Sequence, residues 1–414
     1  MSNAVPVLRL VTIDAVRGVA VMGILLMNIL AFAMPQQAYF NPAAYGGSEG
    51  ANFWAWATAF VLVDGKMRGL FSMLFGASML LVIDRAEAGG HSGKRTHFAR
   101  MFWLLVFGML HYWLLWYGDI LTMYAIVGAI AVFFVRKDAG SLIRWAIGAF
   151  VASLLVWCLL IGSAFALDAA ANAPGASADT IASAAQIREA FGEPNTPSVA
   201  KELAAYRGTW LDGVAQRGKD GPFAQFVFVL FAGLETLGLM LLGMALFRNG
   251  FLRGEWQPER YKRVIAWGYG IGIPGGIALA AVIVAANFDT LIANAVSIMA
   301  MTPFRIAVTL AHAALIVILV TRASGTPLVA RLAATGQAAF SNYIGTTLLM
   351  TTLFYGYGFG LYGDLSRWQV YLVPPVVFAL MLLWSKPWLD RFRYGPLEWL
   401  WRSLARGKLQ QMRK

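Results

Sequence analysis

The sequence predicts an all-α fold: a polytopic transmembrane helical bundle of about ten spans with both termini cytoplasmic. Three observations carry this. The 414 residues are 59% hydrophobic and only 13% charged, with a mean hydropathy of +0.63, which excludes a soluble domain with an apolar core. Apolar runs recur along the whole chain. Lys and Arg gather in the connections between them, the distribution that sets membrane topology. That distribution also turns the net charge of +12 away from nucleic acid and towards a lipid bilayer as partner.

A helix needs about 20 apolar residues to cross the hydrocarbon. On that ruler the spans fall near 14–34, 67–83, 101–117, 119–135, 142–167, 222–246, 264–286, 304–321, 335–355 and 368–386. The first run follows Arg9 and Arg17 and ends in Ala31-Phe32-Ala33, so it imitates a signal peptide; it is expected to remain as an uncleaved first span. Residues 53–64, with two tryptophans, are too short to cross and suit a helix in the outer interface. The Ala-rich loop Asp168–Lys219 has helical stretches at Ile187–Ala190 and Val199–Tyr206 but little apolar surface, so it is expected to form an extracytoplasmic helical cap. Met301-Thr302-Pro303 marks a helix start, where proline is tolerated. A basic cytoplasmic tail, 387–414, closes what reads as one integral membrane domain.

Orientation follows from charge. With the N-terminus inside, the inner segments hold 24 Lys and Arg, among them Arg85, Arg100, Arg136 and the tail. Five lie in the long outer loop, which translocates largely regardless of charge. The single cysteine, Cys158, excludes an internal disulfide, a CxxC motif and a zinc cluster, and no metal is expected. Gly69, Gly76, Gly233, Gly238 and Gly243 are positioned to let helices approach closely. Gly356-Tyr357-Gly358-Phe359-Gly360 sits at a helix end and not after a strand, so it is no dinucleotide fingerprint.

Ionisable groups inside a bilayer are expensive and mark candidate functional sites. His111 falls about halfway across the third span, and Asp119 follows at the Gly118-Asp119 turn. A histidine can take a proton from a nucleophile and return it to a leaving group, with a carboxylate orienting it; the structural alternative is a histidine bonded to a neighbouring carbonyl and an aspartate capping the fourth span. By depth alone, Asn28, Lys66, Arg68, Asp119 and Tyr124 can share one outward-facing polar cavity. Asp14 and Arg17 lie three apart on one helix face. For an anionic cofactor entering from the cytoplasm, Arg17 and Arg100 are natural phosphate contacts. Asn342 and Tyr343 are placed to line a path from the cytoplasm. Glu235, near mid-span, should be neutral or paired, and it and His312 are expected to serve mainly in bonds between helices.

With those residues in view, the chain resembles the YeiB family of bacterial membrane proteins nearly end to end. The likeness rests on Ile13-Asp14-Ala15-Val16-Arg17-Gly18 leading into Met27-Asn28, and on Leu70-Phe71-Ser72-Met73-Leu74-Phe75-Gly76. It continues through Gly108-x-x-His111, Gly118-Asp119-Ile120-Leu121-x-x-Tyr124-Ala125-x-x-Gly128, Ser341-Asn342-Tyr343 and Gly395-Pro396-Leu397-Glu398-Trp399-Leu400-Trp401-Arg402. The resemblance implies a multi-pass protein of the bacterial inner membrane. The opening Asp-x-x-Arg-Gly also resembles transmembrane acyltransferases such as heparan-glucosaminide N-acetyltransferase, which move an acyl group from cytoplasmic acyl-CoA to a sugar on the far side. Asn28 stands where that enzyme has a catalytic asparagine, whereas the position of its catalytic histidine is here Tyr39.

Two functions follow as expectations. The first is acyl transfer from acyl-CoA, acetyl-CoA foremost, to a small-molecule or glycan hydroxyl or amine. His111, Asp119 and Asn28 would be catalytic, with Arg17, Arg100 and Asn342 on the cofactor and Lys66, Arg68, Tyr124 and Glu235 on the acceptor. The second is a transporter or exporter using the same polar groups. A homodimer is left open by the sequence.

Overall fold

Helices build the protein, as expected for a polytopic membrane protein. The computed structural model describes residues 4–221 and 223–414, without the side chains of 4–10, among which Arg9 falls. In chain order the helices are α1 (Ala4–Ala33), α2 (Gln37–Phe40), α3 (Gly50–Leu62), α4 (Lys66–Ala88), α5 (Gly93–Leu114), α6 (Leu121–Ala131) and α7 (Ala139–Ala171). Then come α8 (Ala178–Ala190), α9 (Pro197–Arg207), α10 (Trp210–Asp220), α11 (Ala224–Arg248), α12 (Pro258–Ala285) and α13 (Thr290–Asn294). The chain finishes with α14 (Thr302–Arg322), α15 (Pro327–Gln337), α16 (Ala339–Phe354), α17 (Arg367–Val370), α18 (Val373–Arg391) and α19 (Pro396–Arg406).

Among the described residues, seven helical stretches are long and apolar enough to cross a membrane. Of the remaining expected spans, α5 begins in a basic segment, α6 is short, and the run near 335–355 breaks at Ala338 into α15 and α16. Burial orders the bundle. The apolar window of α1 is 67% buried and that of α7 only 17%, so α1 is central and α7 faces lipid with Leu155 and Leu159. Cys158 is exposed on the same helix.

Backbone approach sets the crossings. A Cβ on Gly76 would meet the Met240 carbonyl at 2.1 Å, and one on Gly243 the Met73 carbonyl at 1.9 Å, so α4 and α11 touch through these two glycines. Gly18, in the Asp-x-x-Arg-Gly motif, faces the Leu332 carbonyl, and Gly336 faces that of Asp14. Part of that motif is therefore a packing requirement that brings α1 against α15.

Helix α3 lies where an interfacial helix was expected, with Trp56 and Phe60 packed near Ile283 and Met301 and Trp54 exposed. The cap comprises α8, α9 and α10, and polar bonds fix it to the bundle. Arg188 joins Asp168, Glu193 and Asp289, and buried Arg217 donates to the Trp113 carbonyl at 3.0 Å. Glu202 accepts the Gln36 N–H at 2.8 Å just beyond the end of α1. The basic tail folds back as α19, against α5 and α16.

Two outcomes are expected. Gly243→Ala should cost about 1–3 kcal/mol through overpacking and lower the melting temperature in detergent, whereas Gly270→Ala, whose Cβ would meet open space, should not. The second concerns Glu202, whose carboxyl burial pushes up from 4.5 to about 7. The folded state then holds the proton more tightly than the unfolded one, so stability falls as pH rises through that window. Glu202→Gln removes the titration, and its stability relative to the parent should climb by up to ~3 kcal/mol across the window. A pH-independent difference in melting would contradict the assignment.

Candidate functional site

Helix α5 ends at Leu114 and the chain turns through Gly118-Asp119 into α6. The turn brings the Asp119 carboxylate back onto the ring that α5 carries one turn from its end: His111 Nδ1 lies 3.0 Å from Asp119 Oδ1. Asp119 also caps α6, with Oδ1 accepting the Leu121 N–H at 3.1 Å and Oδ2 the Thr122 N–H at 2.9 Å. The two sequence readings of Asp119, cap and orienting group, are therefore both met by one carboxylate. The other ring nitrogen, Nε2, lies 3.0 Å from the Thr347 hydroxyl on α16. Trp116 and Tyr343 flank the ring. His111 is 2% exposed and Asp119 7%, so the pair works away from bulk solvent.

Two spaces adjoin this core. The larger, about 640 Å³, runs from Arg85, Arg393 and Arg402 at the basic end inward past Arg17, Ser78 and Arg100 to Tyr124 and Tyr343. The smaller, about 10 Å³, lies between α1 and α16 and is lined by Asn28, Phe32, Thr346 and Thr347. Ile24 and Tyr343 line both. Asn28 has no hydrogen-bond partner among the described residues, and the buried Tyr343 hydroxyl has none either.

The arginines of the large cavity differ in their commitments. Arg17 is held by Asp14 at 2.7 Å and Ser78 at 2.8 Å. Arg100 stacks on Trp401 at 4.1 Å and Arg402 on Tyr394 at 4.7 Å. Among the described residues no carboxylate pairs with Arg85, Arg100, Arg393 or Arg402. Glu398, on the same wall, is spent on α16: it accepts the Phe340 N–H at 2.6 Å, the Ser341 N–H at 3.1 Å and the Ser341 hydroxyl. His97 also lines this space but is bonded to the Gly128 carbonyl.

Other expected site residues fall elsewhere. Asn342 does not line the cavity: its amide donates to the Thr335 carbonyl and Ser385 and accepts from Trp384, tying α16 to α15 and α18. Of the residues expected to share one outward cavity, Asn28 and Tyr124 line the two different spaces described above. Tyr124 points to the basic-end cavity and shares a 2.7 Å bond with Ser72. Lys66, fully buried, donates to the Phe60 carbonyl. Glu235 is paired, as its burial requires, between Arg68 at 2.6 Å and Arg305 at 2.9 Å. His312 bonds Tyr269 and the Leu62 carbonyl, the interhelix role expected of it. Thr347, Arg85, Arg393 and Arg402 entered no sequence-derived site; Arg402 closes the Gly395–Arg402 block and Arg393 stands two residues before it, so that block pointed to both.

One outcome tests the core of the site. Asp119→Ala strands the His111 N–H and two backbone N–H groups in an apolar interior and should cost about 3–5 kcal/mol. Asp119→Asn, which keeps an acceptor, should cost clearly less in detergent melting or denaturant titration.

Residues 246–408 match a family profile described as "Protein of unknown function (DUF418)". The chain is 32% identical over 413 residues to the uncharacterized protein YeiB of Escherichia coli (strain K12), covering 96% of each. It is 27% identical over 414 residues to the uncharacterized protein YxaH of Bacillus subtilis (strain 168), covering 97% of this chain and 96% of the relative. No solved structure matches. The 32% identity over nearly the full length of both chains places this multi-pass membrane protein in the YeiB family.

Proposed function

We propose that the protein is an acyltransferase of the bacterial inner membrane, moving an acyl group from cytoplasmic acyl-CoA to an acceptor hydroxyl or amine that arrives from the outer side. The observation that carries this is the 640 Å³ cavity, which opens among arginines and ends at Tyr343, the neighbour of His111. A donor with phosphates at one end and a slender thioester arm at the other suits such a space: charge-assisted bonds hold the phosphates at the mouth, and the thioester reaches inward.

Roles divide by commitment. Arg100, Arg85, Arg393 and Arg402 have donors to spare and take the phosphates, with Arg17, already paired to Asp14, supporting them. His111, oriented by Asp119, handles the proton of the transfer, and Asn28 supplies a free amide to the reacting carbonyl. The Arg68–Glu235–Arg305 group and Lys66 lie on the acceptor side of this arrangement and Tyr124 on the donor side.

Acetyl-CoA or CoA at millimolar concentration should raise the melting temperature of the detergent-purified protein, since a ligand bound only by the folded state stabilises it. Arg100→Ala and Arg402→Ala should each weaken that response by about tenfold in ligand concentration, as expected for one charge-assisted phosphate contact. A nucleotide lacking the pantetheine arm should act more weakly. Absence of any shift would sink the donor assignment, and substrate uptake into proteoliposomes would then favour a transporter.

A further inference from the structure

His111 has no nitrogen free to act on an incoming acceptor. Both oxygens of Asp119 already accept backbone N–H groups, so towards Nδ1 the carboxylate is an acceptor and the ring proton sits on Nδ1. The lone pair of Nε2 is then aimed at the Thr347 hydroxyl, 3.0 Å away. That hydroxyl also lies 3.3 Å from the Tyr343 carbonyl of its own helix, the longer of its two contacts. Carboxylate, imidazole and hydroxyl are thus in line, the relay that activates a nucleophilic alcohol. Thr347 is the member of the three that lines the small space, where Asn28 offers its unpartnered amide.

We infer that Thr347 is a nucleophile that carries the acyl group between donor and acceptor; this rests on the acyl-transfer reading above. In the first half, Thr347 Oγ1 attacks the thioester carbonyl while its proton passes to His111 Nε2. The C–S bond breaks, the proton goes to sulfur, and CoA leaves as its thiol with an acyl ester left on Thr347. In the second half, the acceptor's hydroxyl or amine attacks that ester, giving its proton to Nε2 and thence to Oγ1 as the C–O bond breaks. Nothing is oxidised or reduced. Asn28 donates to the carbonyl oxygen as it gains charge. The thioester must pass the wall that Ile24 and Tyr343 form between the two spaces, so one of these side chains swings aside when the donor binds.

The relay makes a prediction that needs no knowledge of the acceptor. Without acceptor, the protein should exchange isotopically labelled CoA into acetyl-CoA, and after acid quench the peptide containing Thr347 should carry one acetyl group. Thr347→Ser should retain exchange. Thr347→Val, similar in shape but lacking the hydroxyl, and His111→Ala should reduce exchange to background. The acetyl-CoA melting shift, read in parallel, reports whether each variant still folds and binds. Exchange that survives in Thr347→Val, or a parent protein that binds acetyl-CoA without exchange or adduct, overturns the covalent role and leaves direct transfer standing. No melting shift in the parent overturns both.

Discussion

The bond on which the site depends joins His111 to Asp119. In hydrocarbon no water is at hand to satisfy a stray polar group, and each one left unpaired costs several kcal/mol. Asp119 meets that condition for three donors at once: the ring N–H of His111 and the backbone N–H groups of Leu121 and Thr122. The same three bonds set the end of α5, the start of α6 and the orientation of the imidazole. Once the ring is fixed, Nε2 can face only α16, and Thr347 is what it meets.

A second buried carboxylate does the same at the other end of the cavity. Glu398 reaches from α19 to cap α16, and that cap is why the run near 335–355 breaks at Ala338 and does not continue as one span. Burial raises the Glu398 carboxyl above its ordinary range, against the pull of these hydrogen bonds. The three expected spans that are not long, apolar, unbroken helices are α5, α6 and the α15–α16 pair, and they supply His111, Asp119 and Thr347. Irregular backbone at membrane depth is tolerated where protein buries it or a cavity adjoins it. Around α1, which lines both spaces, the less regular spans thus supply the carboxylate, imidazole and hydroxyl of the candidate site.

This division explains what could be read from the residues alone. Hydropathy and Lys/Arg placement suffice for the membrane class, most helix positions, the short helix α3 and the helices of the long loop, because each depends on local composition. His111 and Asp119 were conspicuous because ionisable groups in apolar runs are rare, although their contact across the glycine turn needed the fold. Thr347 carried no such signal: threonine is common in membrane helices and usually bonds its own carbonyls, as Thr346 does with Asn342. Depth matching does not decide which neighbours Lys66, Arg68 and Tyr124 meet, because depth fixes one coordinate and leaves the angle around the bundle undetermined. The partners of Asn342 lie on α15 and α18, and no local pattern discloses them. Arg85, Arg393 and Arg402 looked like topology charges until the fold gathered them round one opening.

The two charged clusters differ in a way that assigns a direction to the protein. Around Glu235 the charges are closed upon themselves: two arginines grip one carboxylate and further bonds tie them to Thr236 and the Ser297 carbonyl. Around the large cavity they are open. Five arginines line it with two carboxyl groups, of which Asp14 is held by Arg17 and Glu398 by the α16 cap. Like charges crowded at a low-dielectric wall repel, and holding them there costs free energy unless an anion joins them. Aromatic faces ease part of that cost, Trp401 under Arg100 and Tyr394 under Arg402, and stacking leaves the guanidinium edges free to donate. An anion drawn to those edges has an apolar channel ahead of it and the Asp119–His111–Thr347 line beyond the far wall. Charge alone therefore gives the site an entrance at the basic end, the end that a cytoplasmic excess of Lys and Arg predicts to face inward.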